Sequence, residues 1–329
     1  MIHKPKRSKN MSWNIVIACI DTRNPPETLN ALAGLDVKVH HVVGFHSERE
    51  SALYQEADAI ITEMHPVTES MMATFNRCRI IACASTGYDY VDHTSAAKRG
   101  IWVTNCPGYC TDEVSTHTIA LLLSQARRLP QLRTLVRANE WDPRSARPIH
   151  HPRMQTLGII GWGRIGRAVS AKAMALGFKV IANDPYIDPK QMLDAGVQPA
   201  DKETLLRESD YVSLHTPLTN ETHHMIDAGL LALMRPSAYL INTARGLLID
   251  EAALLEAVQN GRLAGAALDV LSSEPPSADH PFLHDDRFFI TPHSAWCSEE
   301  SDAVVWEWAA GNVAYALRGE KPPHSVNQI

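Results

Sequence analysis

The chain has 329 residues, 45% of them hydrophobic and 21% charged, with a formal net charge of −6. That length exceeds one typical domain and the composition is that of a globular protein, so two domains are expected. The negative balance excludes bulk binding to nucleic acid or to anionic membranes, and no run approaches the roughly 18 apolar residues that span a bilayer.

The start is basic (Lys4, Lys6, Arg7, Lys9), but only a short apolar run follows it at residues 15–20. That run makes a better first strand than the core of a secretory signal. Residues 1–12 read as a flexible leader, with Met11 an alternative start. From there strand and helix alternate, with strands expected at 14–20, 37–43, 59–62, 79–84 and 101–104 and helical periodicity at 27–32, 67–75 and 90–98. Alternation of this kind builds a parallel sheet covered by helices. Asn105-Cys106-Pro107-Gly108-Tyr109 then supplies turn chemistry, and Thr111 is placed to cap a long helix, expected to cross from this first unit to a second, that carries Asp112 and Glu113 in its first turn. Residues 127–152 are polar and proline-rich, and read as a connection running over the surface.

A second unit opens at Thr156-Leu157-Gly158-Ile159-Ile160-Gly161-Trp162-Gly163-Arg164-Ile165-Gly166. An apolar strand enters a G-x-G-x-x-G turn and a helical pattern leaves it, the context in which these glycines are informative. Gly161 makes the tight turn, Gly163 lets the backbone approach a pyrophosphate, and Gly166 lets helix and strand pack closely. The helix start offers unpaired N–H groups and a positive dipole end to that anion. The next strand ends at Asp184, 18 residues after Gly166, where a carboxylate can accept from ribose hydroxyls and repel a 2′-phosphate, favouring NAD over NADP. Further strands are expected at 211–215, 238–242, 265–269 and 288–291, with helices at 190–195, 202–208, 228–233 and 252–259 between them. Ser298 opens a last helix reaching Leu317; with no strand left to join, it should pack back on the first unit and leave a cleft between the two units.

The six cysteines (Cys19, Cys78, Cys83, Cys106, Cys110, Cys297) form no C-x-x-C pair and read as reduced thiols of a cytoplasmic protein. Sixteen histidines include the pairs at 40–41, 150–151 and 223–224, but none has metal-ligand spacing, so no metal is expected. Three strand ends carry chemistry: Asn242-Thr243-Ala244-Arg245-Gly246, Asp269 to Glu274-Pro275, and Thr291-Pro292-His293-Ser294. Arginine suits a bidentate grip on a carboxylate, and histidine gives or takes a proton near neutrality. With a nicotinamide these parts suffice to reduce a 2-oxo acid: Arg245 binds the carboxylate and polarises the keto oxygen, His293 protonates the forming alkoxide, and Glu274 keeps His293 charged.

From about residue 80 onward the chain resembles the D-isomer-specific 2-hydroxyacid dehydrogenases. The matches are Ser85-Thr86-Gly87-Tyr88-Asp89, the glycine turn, Val212-Ser213-Leu214-His215-Thr216-Pro217-Leu218-Thr219, Thr243-Ala244-Arg245-Gly246, Ala267-Leu268-Asp269-Val270 with Glu274-Pro275, and Thr291-Pro292-His293. The resemblance implies that Arg245, Glu274 and His293 are the catalytic set. It implies that Arg164 and Ile165 contact the pyrophosphate, that His215, Thr216, Pro217, Thr243 and Ala244 line the cofactor, and that Asp269 holds the nicotinamide carboxamide. It places the substrate carboxylate on the backbone of Ser85, Thr86 and Gly87, and implies a homodimer formed through the nucleotide unit. The expected fold is α/β, with two doubly wound parallel-sheet domains. One is a Rossmann NAD-binding domain of residues 106–297, the other a flavodoxin-like substrate domain of residues 1–105 and 298–329, with the active site in the cleft.

Two departures stand out. The family often carries Val-Ala-Glu early in the crossing helix, where this chain has Val114-Ser115-Thr116, so polar contacts there must differ. Ser294-Ala295-Trp296-Cys297, Asp184-Pro185-Tyr186 and Leu247-Leu248 resemble the branch containing the C-terminal-binding-protein corepressors. Trp296 either walls the substrate pocket, favouring a large apolar side chain, or packs at the domain hinge. Tyr88, Tyr109 and Cys83 read as structural rather than selective. The leading reading is thus an NAD-dependent dehydrogenase of small 2-hydroxy or 2-oxo acids. The alternative is an NAD(H)-gated, corepressor-like binding protein; a formate dehydrogenase would carry glutamine in place of Glu274.

Overall fold

The computed structural model describes residues 12–19, 29–43 and 48–329. The basic leader, Met11, Ile20 and the first residues of the helix expected at 27–32 lie outside them. The chain divides into two compact units, one containing the residues up to Tyr109 together with Ser298–Ile329, the other Cys110–Cys297.

In the first unit five parallel strands, β1 (Trp13–Cys19), β2 (Val37–Val43), β3 (Ala59–Glu63), β4 (Ile80–Cys83) and β5 (Trp102–Thr104), lie in the order β2-β1-β3-β4-β5. This is the flavodoxin-like order. Successive side chains of a strand point to opposite faces. Ile15, Ile17, Ile61 and Ile80 therefore meet Val305, Trp306, Ala309 and Val313 of the helix Glu299–Arg318 on one face. Val16, Ala18, Ile60 and Ile81 meet Tyr54, Met72 and Val91 on the other. Burial on both faces explains the near-continuous apolar runs of β1, β3 and β4. The last helix starts where a serine cap was read: Ser298 Oγ accepts from the Ser301 amide and Ser301 Oγ accepts from the Ser298 amide, a reciprocal capping box.

In the second unit seven parallel strands follow: β6 (Thr156–Ile160), β7 (Lys179–Asn183), β8 (Gln198–Pro199), β9 (Tyr211–Leu214), β10 (Tyr239–Asn242), β11 (Gly265–Leu268) and β12 (Phe288–Ile290). Their order is β12-β11-β10-β9-β6-β7-β8, the doubly wound Rossmann arrangement with an added strand beside β11. Leu157 and Ile159 pack with Ile119, Leu122 and Val169, while Ile160 and Val212 face Leu205, Leu240 and Val258. Two expectations need correction, and one strand is added. Thr111 is the first helical residue of Thr111–Ala126 and Cys110 is the cap, with no side-chain cap bond. The polar connection at 127–152 contains the helix Leu129–Arg137, which has Pro130 in its first turn, where the missing N–H costs nothing. The edge strand β8 was not foreseen, because two residues ending in proline carry no periodic signal.

Candidate active site

The doubly wound order reverses between β6 and β9, the place where such sheets bind ligands at their carboxyl ends. The glycine turn sits there. Gly161 has φ +90°, and a β-carbon on it would lie 2.7 Å from the His215 carbonyl, so glycine is required by both backbone and neighbour. A β-carbon on Gly166 would overlap the Gly161 carbonyl oxygen. Gly163 is different. Its φ of −76° and ψ of −153° suit any residue, and a β-carbon there meets nothing within 4 Å. The protein itself does not demand a glycine here, but the open space lies at the N-terminus of the helix Arg164–Ala175, where a pyrophosphate would fill it. The residues therefore fit a dinucleotide. Arg164 is exposed at the same helix start, whereas Ile165 packs against the core beneath it.

Asp184, just past β7, is half-buried; its Oδ2 accepts from the Trp162 amide at 2.8 Å and its Oδ1 from the Tyr186 amide at 3.0 Å. The first bond ties the acid to the glycine turn, and the second closes the acid's own loop. Past β9, the His215 ring Nε2 lies 3.0 Å from Ser213 Oγ, and burial drives its pKa down to about 3, so the ring is neutral at physiological pH. Thr216 Oγ1 contacts the Met225 sulfur, and Pro217 is exposed.

The loops after β10, β11 and β12 carry the reactive residues. Asn242 shapes the first: its amide nitrogen donates to the Arg245 carbonyl at 2.8 Å, and its amide oxygen accepts from the Ala244 N–H at 2.9 Å. Gly246 lets this loop lie directly on the next, since a β-carbon there would overlap the backbone of Leu271 and Ser272. Glu274 sits three residues beyond Leu271; its Oε1 accepts from the Leu271 amide at 2.8 Å, and its Oε2 lies 2.6 Å from His293 Nδ1. Burial pushes the Glu274 carboxyl up, but the bond and charge of His293, the Leu271 amide and the charge of Arg245 outweigh it and hold it below its ordinary value. The structure thus brings Arg245, Glu274 and His293 into one electrostatic neighbourhood. Arg245 also donates to the Ala244 carbonyl at 2.9 Å.

His293 is held with φ +50°, in the left-handed region that costs a β-carbon-bearing residue of order 1–3 kcal/mol. The buried Asp269, 1% exposed, fixes that turn. Its carbonyl accepts from the His293 N–H at 2.8 Å. Its Oδ1 accepts from Thr291 Oγ1 at 2.6 Å and the Ser294 amide at 2.9 Å, and its Oδ2 from the Ala295 amide at 2.9 Å. Thr243 is also buried, bonded through its hydroxyl to Thr118 Oγ1 of the crossing helix at 2.9 Å.

Sequence reasoning missed His117, Thr118 and Lys172, and named Asn242 without giving it a role. A buried threonine within an apolar helix was the available signal for Thr118; Lys172 had none. Its Nζ reaches Asp112 Oδ1 and Thr116 Oγ1 at 2.6 Å each and Ser115 Oγ at 2.9 Å. The Ser115-Thr116 departure is therefore a lysine seat that ties the crossing helix to the nucleotide-turn helix.

In the first unit, Ser85 Oγ donates to the Gly87 carbonyl at 2.6 Å and lies 2.7 Å from the Tyr90 hydroxyl. Thr86 is pinned by its own hydroxyl to the Cys106 carbonyl at 3.1 Å and by Asn105 to its carbonyl at 2.7 Å. Among the described residues the amides of Gly87 and Tyr88 meet no protein acceptor. Cys83 is fully buried, its thiol pushed up to about 12 by burial, and Tyr88 and Tyr109 pack against the cores of this unit. Trp296 is half-buried, three residues after His293. All six cysteines are free thiols. Among the described residues no helix is long and apolar enough to cross a membrane.

Residues 119–295 match the family model described as D-isomer specific 2-hydroxyacid dehydrogenase, NAD binding domain. A glyoxylate reductase of Thermococcus litoralis is 39% identical over 283 residues, covering 83% of this chain and 85% of the relative. A D-3-phosphoglycerate dehydrogenase of Methanocaldococcus jannaschii is 36% identical over 88% of this chain and 55% of its own. Among solved structures, D-lactate dehydrogenase of Aquifex aeolicus, complexed with NAD and lactic acid, aligns with a TM-score of 0.85 at 30% identity, covering 93% of this chain and 96% of the other.

Proposed function

The chain belongs to the D-isomer-specific 2-hydroxyacid dehydrogenase family, and from that premise we propose that it is a 2-oxo acid reductase in which Arg245, Glu274 and His293 act together. It is an NAD-dependent oxidoreductase. Bound NADH supplies the hydride that C2 of the oxo acid accepts. Arg245 grips the substrate carboxylate and polarises the keto oxygen. His293 holds the proton for that oxygen on Nε2, because Nδ1 is committed to Glu274. Glu274 stabilises the imidazolium before the proton leaves, and the reverse reaction begins with neutral His293 as base. The unpaired amides beside residues 85–87 are the proposed backbone donors for the carboxylate. Arg164, His215, Thr216, Pro217, Thr243 and Ala244 are proposed to line the cofactor, with Asp184 on its adenosine ribose. Asp269 is proposed to serve the nicotinamide carboxamide through the turn it organises.

The observation that carries the reading is the 2.6 Å contact between His293 Nδ1 and Glu274 Oε2, with the charge of Arg245 felt by the same carboxylate. A protonatable histidine and its counter-charge are what a carbonyl reduction needs and what a formate oxidation does not. The test is NADH consumption over a panel of 2-oxo acids, starting with glyoxylate because close relatives bear that name. Turnover of at least one member, abolished in His293→Ala, is the expected result. Tight NADH binding with no turnover on any member would favour the corepressor-like binding reading.

We further propose a cytoplasmic homodimer formed through the nucleotide unit. The segment after the crossing helix leaves Leu129, Val136, Trp141 (88% exposed) and Met154 (76%) exposed, and these are the apolar side chains that a second copy would cover. Sedimentation of the protein and of Trp141→Asp tests it, with a dimer expected for the first and a monomer for the second.

A further inference from the structure

The turn that carries His293 is gripped from its far side by a second histidine. His117, on the crossing helix, places Nε2 3.0 Å from Thr291 Oγ1 and 3.5 Å from Asp269 Oδ1. The hydrogen-bond arithmetic fixes its tautomer. A threonine hydroxyl has one proton, and that of Thr291 goes to the Asp269 carboxylate at 2.6 Å. Its oxygen must therefore accept from His117, which requires a proton on Nε2. The relay runs His117 Nε2–H to Thr291 Oγ1–H to Asp269 Oδ1. The same carboxylate takes the Ser294 and Ala295 amides, and the Asp269 carbonyl takes the His293 amide. The helix that presents His117 is itself anchored by Thr118 to Thr243 and by Lys172 to Ser115 and Thr116.

We propose that His117 is a positioning residue: through the Thr291 hydroxyl it locks the buried Asp269 carboxylate, and with it the left-handed turn that directs His293 onto Glu274. The proposal rests on the catalytic role assigned to His293 above. His117 touches none of the reacting groups. Its effect on the reaction is on the geometry of the proton donor, so it should change kcat far more than the KM of the oxo acid.

Two measurements on the full-length enzyme test it. In kinetics, His117→Ala and Thr291→Val should each lower kcat about tenfold, the upper end of what one hydrogen bond contributes, with KM moving less than about threefold. His117→Gln, which keeps an N–H near the Nε2 position, and Thr291→Ser should recover most of the loss. The double variant His117→Ala/Thr291→Val should be no worse than either single one, because both break the same relay. In the second measurement, ¹⁵N NMR of the imidazole rings, with His117→Gln identifying the signal, should show His117 carrying a proton on Nε2. Wild-type kcat in His117→Ala, no rescue by glutamine, multiplicative losses in the double variant or a neutral Nδ1–H tautomer would each overturn the proposal. Should His117→Ala fail to fold, the glutamine and serine variants and the tautomer still decide it. A wild-type enzyme with no turnover defeats the proposed reaction instead, and the tautomer then decides the relay alone.

Discussion

The three glycines of the nucleotide turn look equivalent in the sequence, yet replacing each with alanine should have a different outcome. Alanine at 166 would overlap the Gly161 carbonyl oxygen, a rigid backbone atom. Overpacking of that kind costs about 1–3 kcal/mol, which for a domain of this size lowers Tm by roughly 2–12 °C. Alanine at 161 meets the His215 backbone at 2.7 Å and also bears φ +90°. The left-handed penalty adds about 1–2 kcal/mol to the overpacking cost, so Gly161→Ala should be the least stable of the three. Alanine at 163 meets nothing within 4 Å and its dihedrals are permitted. A small loss of capping preference is offset by a stiffer unfolded chain, leaving stability within about 1 kcal/mol of the parent. The added methyl instead occupies the pyrophosphate's place, and an overpacking cost of about 1–3 kcal/mol there weakens NADH binding by roughly 5- to 150-fold. Thermal unfolding without cofactor and fluorescence titration with NADH separate the two effects. Gly163→Ala binding NADH as tightly as the parent, or losing as much stability as Gly166→Ala, would refute the assignment of that space to the cofactor.

Glu274→Gln should lower kcat for oxo acid reduction by roughly 10- to 100-fold, since a charge-assisted hydrogen bond contributes about 1.5–3 kcal/mol. Steady-state rates at neutral pH check this. Because the folded-state pKa of Glu274 is depressed, the stability it contributes is full above the ordinary glutamate value and is lost as the pH falls through its lowered one. Urea unfolding below neutrality should therefore show the Glu274→Gln variant closing the gap with the parent as pH drops. His293→Ala should lower kcat with little change in KM, whereas Arg245→Ala should also raise the KM of the oxo acid; small, equal effects from both would count against the roles given them. Asp184→Asn keeps an acceptor for the Trp162 amide but removes the charge, and should raise kcat/KM with NADPH relative to NADH by about tenfold, read from parallel assays of the two cofactors.

Much of this molecule is legible in its residues because parallel sheets leave a simple trace. Runs such as 37–43 and 202–208 could be bounded to the residue, since one is rich in β-branched valine (Val37, Val39, Val42, Val43) and Asp201 caps the other. The Ser298 cap was legible for the same local reason. What failed lacked a local signal. β8 is too short to have a period, and the Leu129–Arg137 helix hides among prolines with none of its residues buried. In the site, residue types disclosed the Arg245, Glu274 and His293 chemistry, but not how they are supported. No spacing rule says that the Asp269 carboxylate turns inward to hold residues 291–295, or that Lys172 reaches from one helix to Ser115 and Thr116 of another. Those contacts join segments distant in sequence, and only the fold makes them neighbours.

Deuterium transfer tests the central claim most directly. With NADH deuterated at the transferring C4 position and pyruvate or glyoxylate as acceptor, the proposed reaction places deuterium on C2 of the 2-hydroxy acid, and pyruvate yields the D isomer. Deuterium-free product, the L isomer, or intact cofactor in the presence of every 2-oxo acid would contradict it.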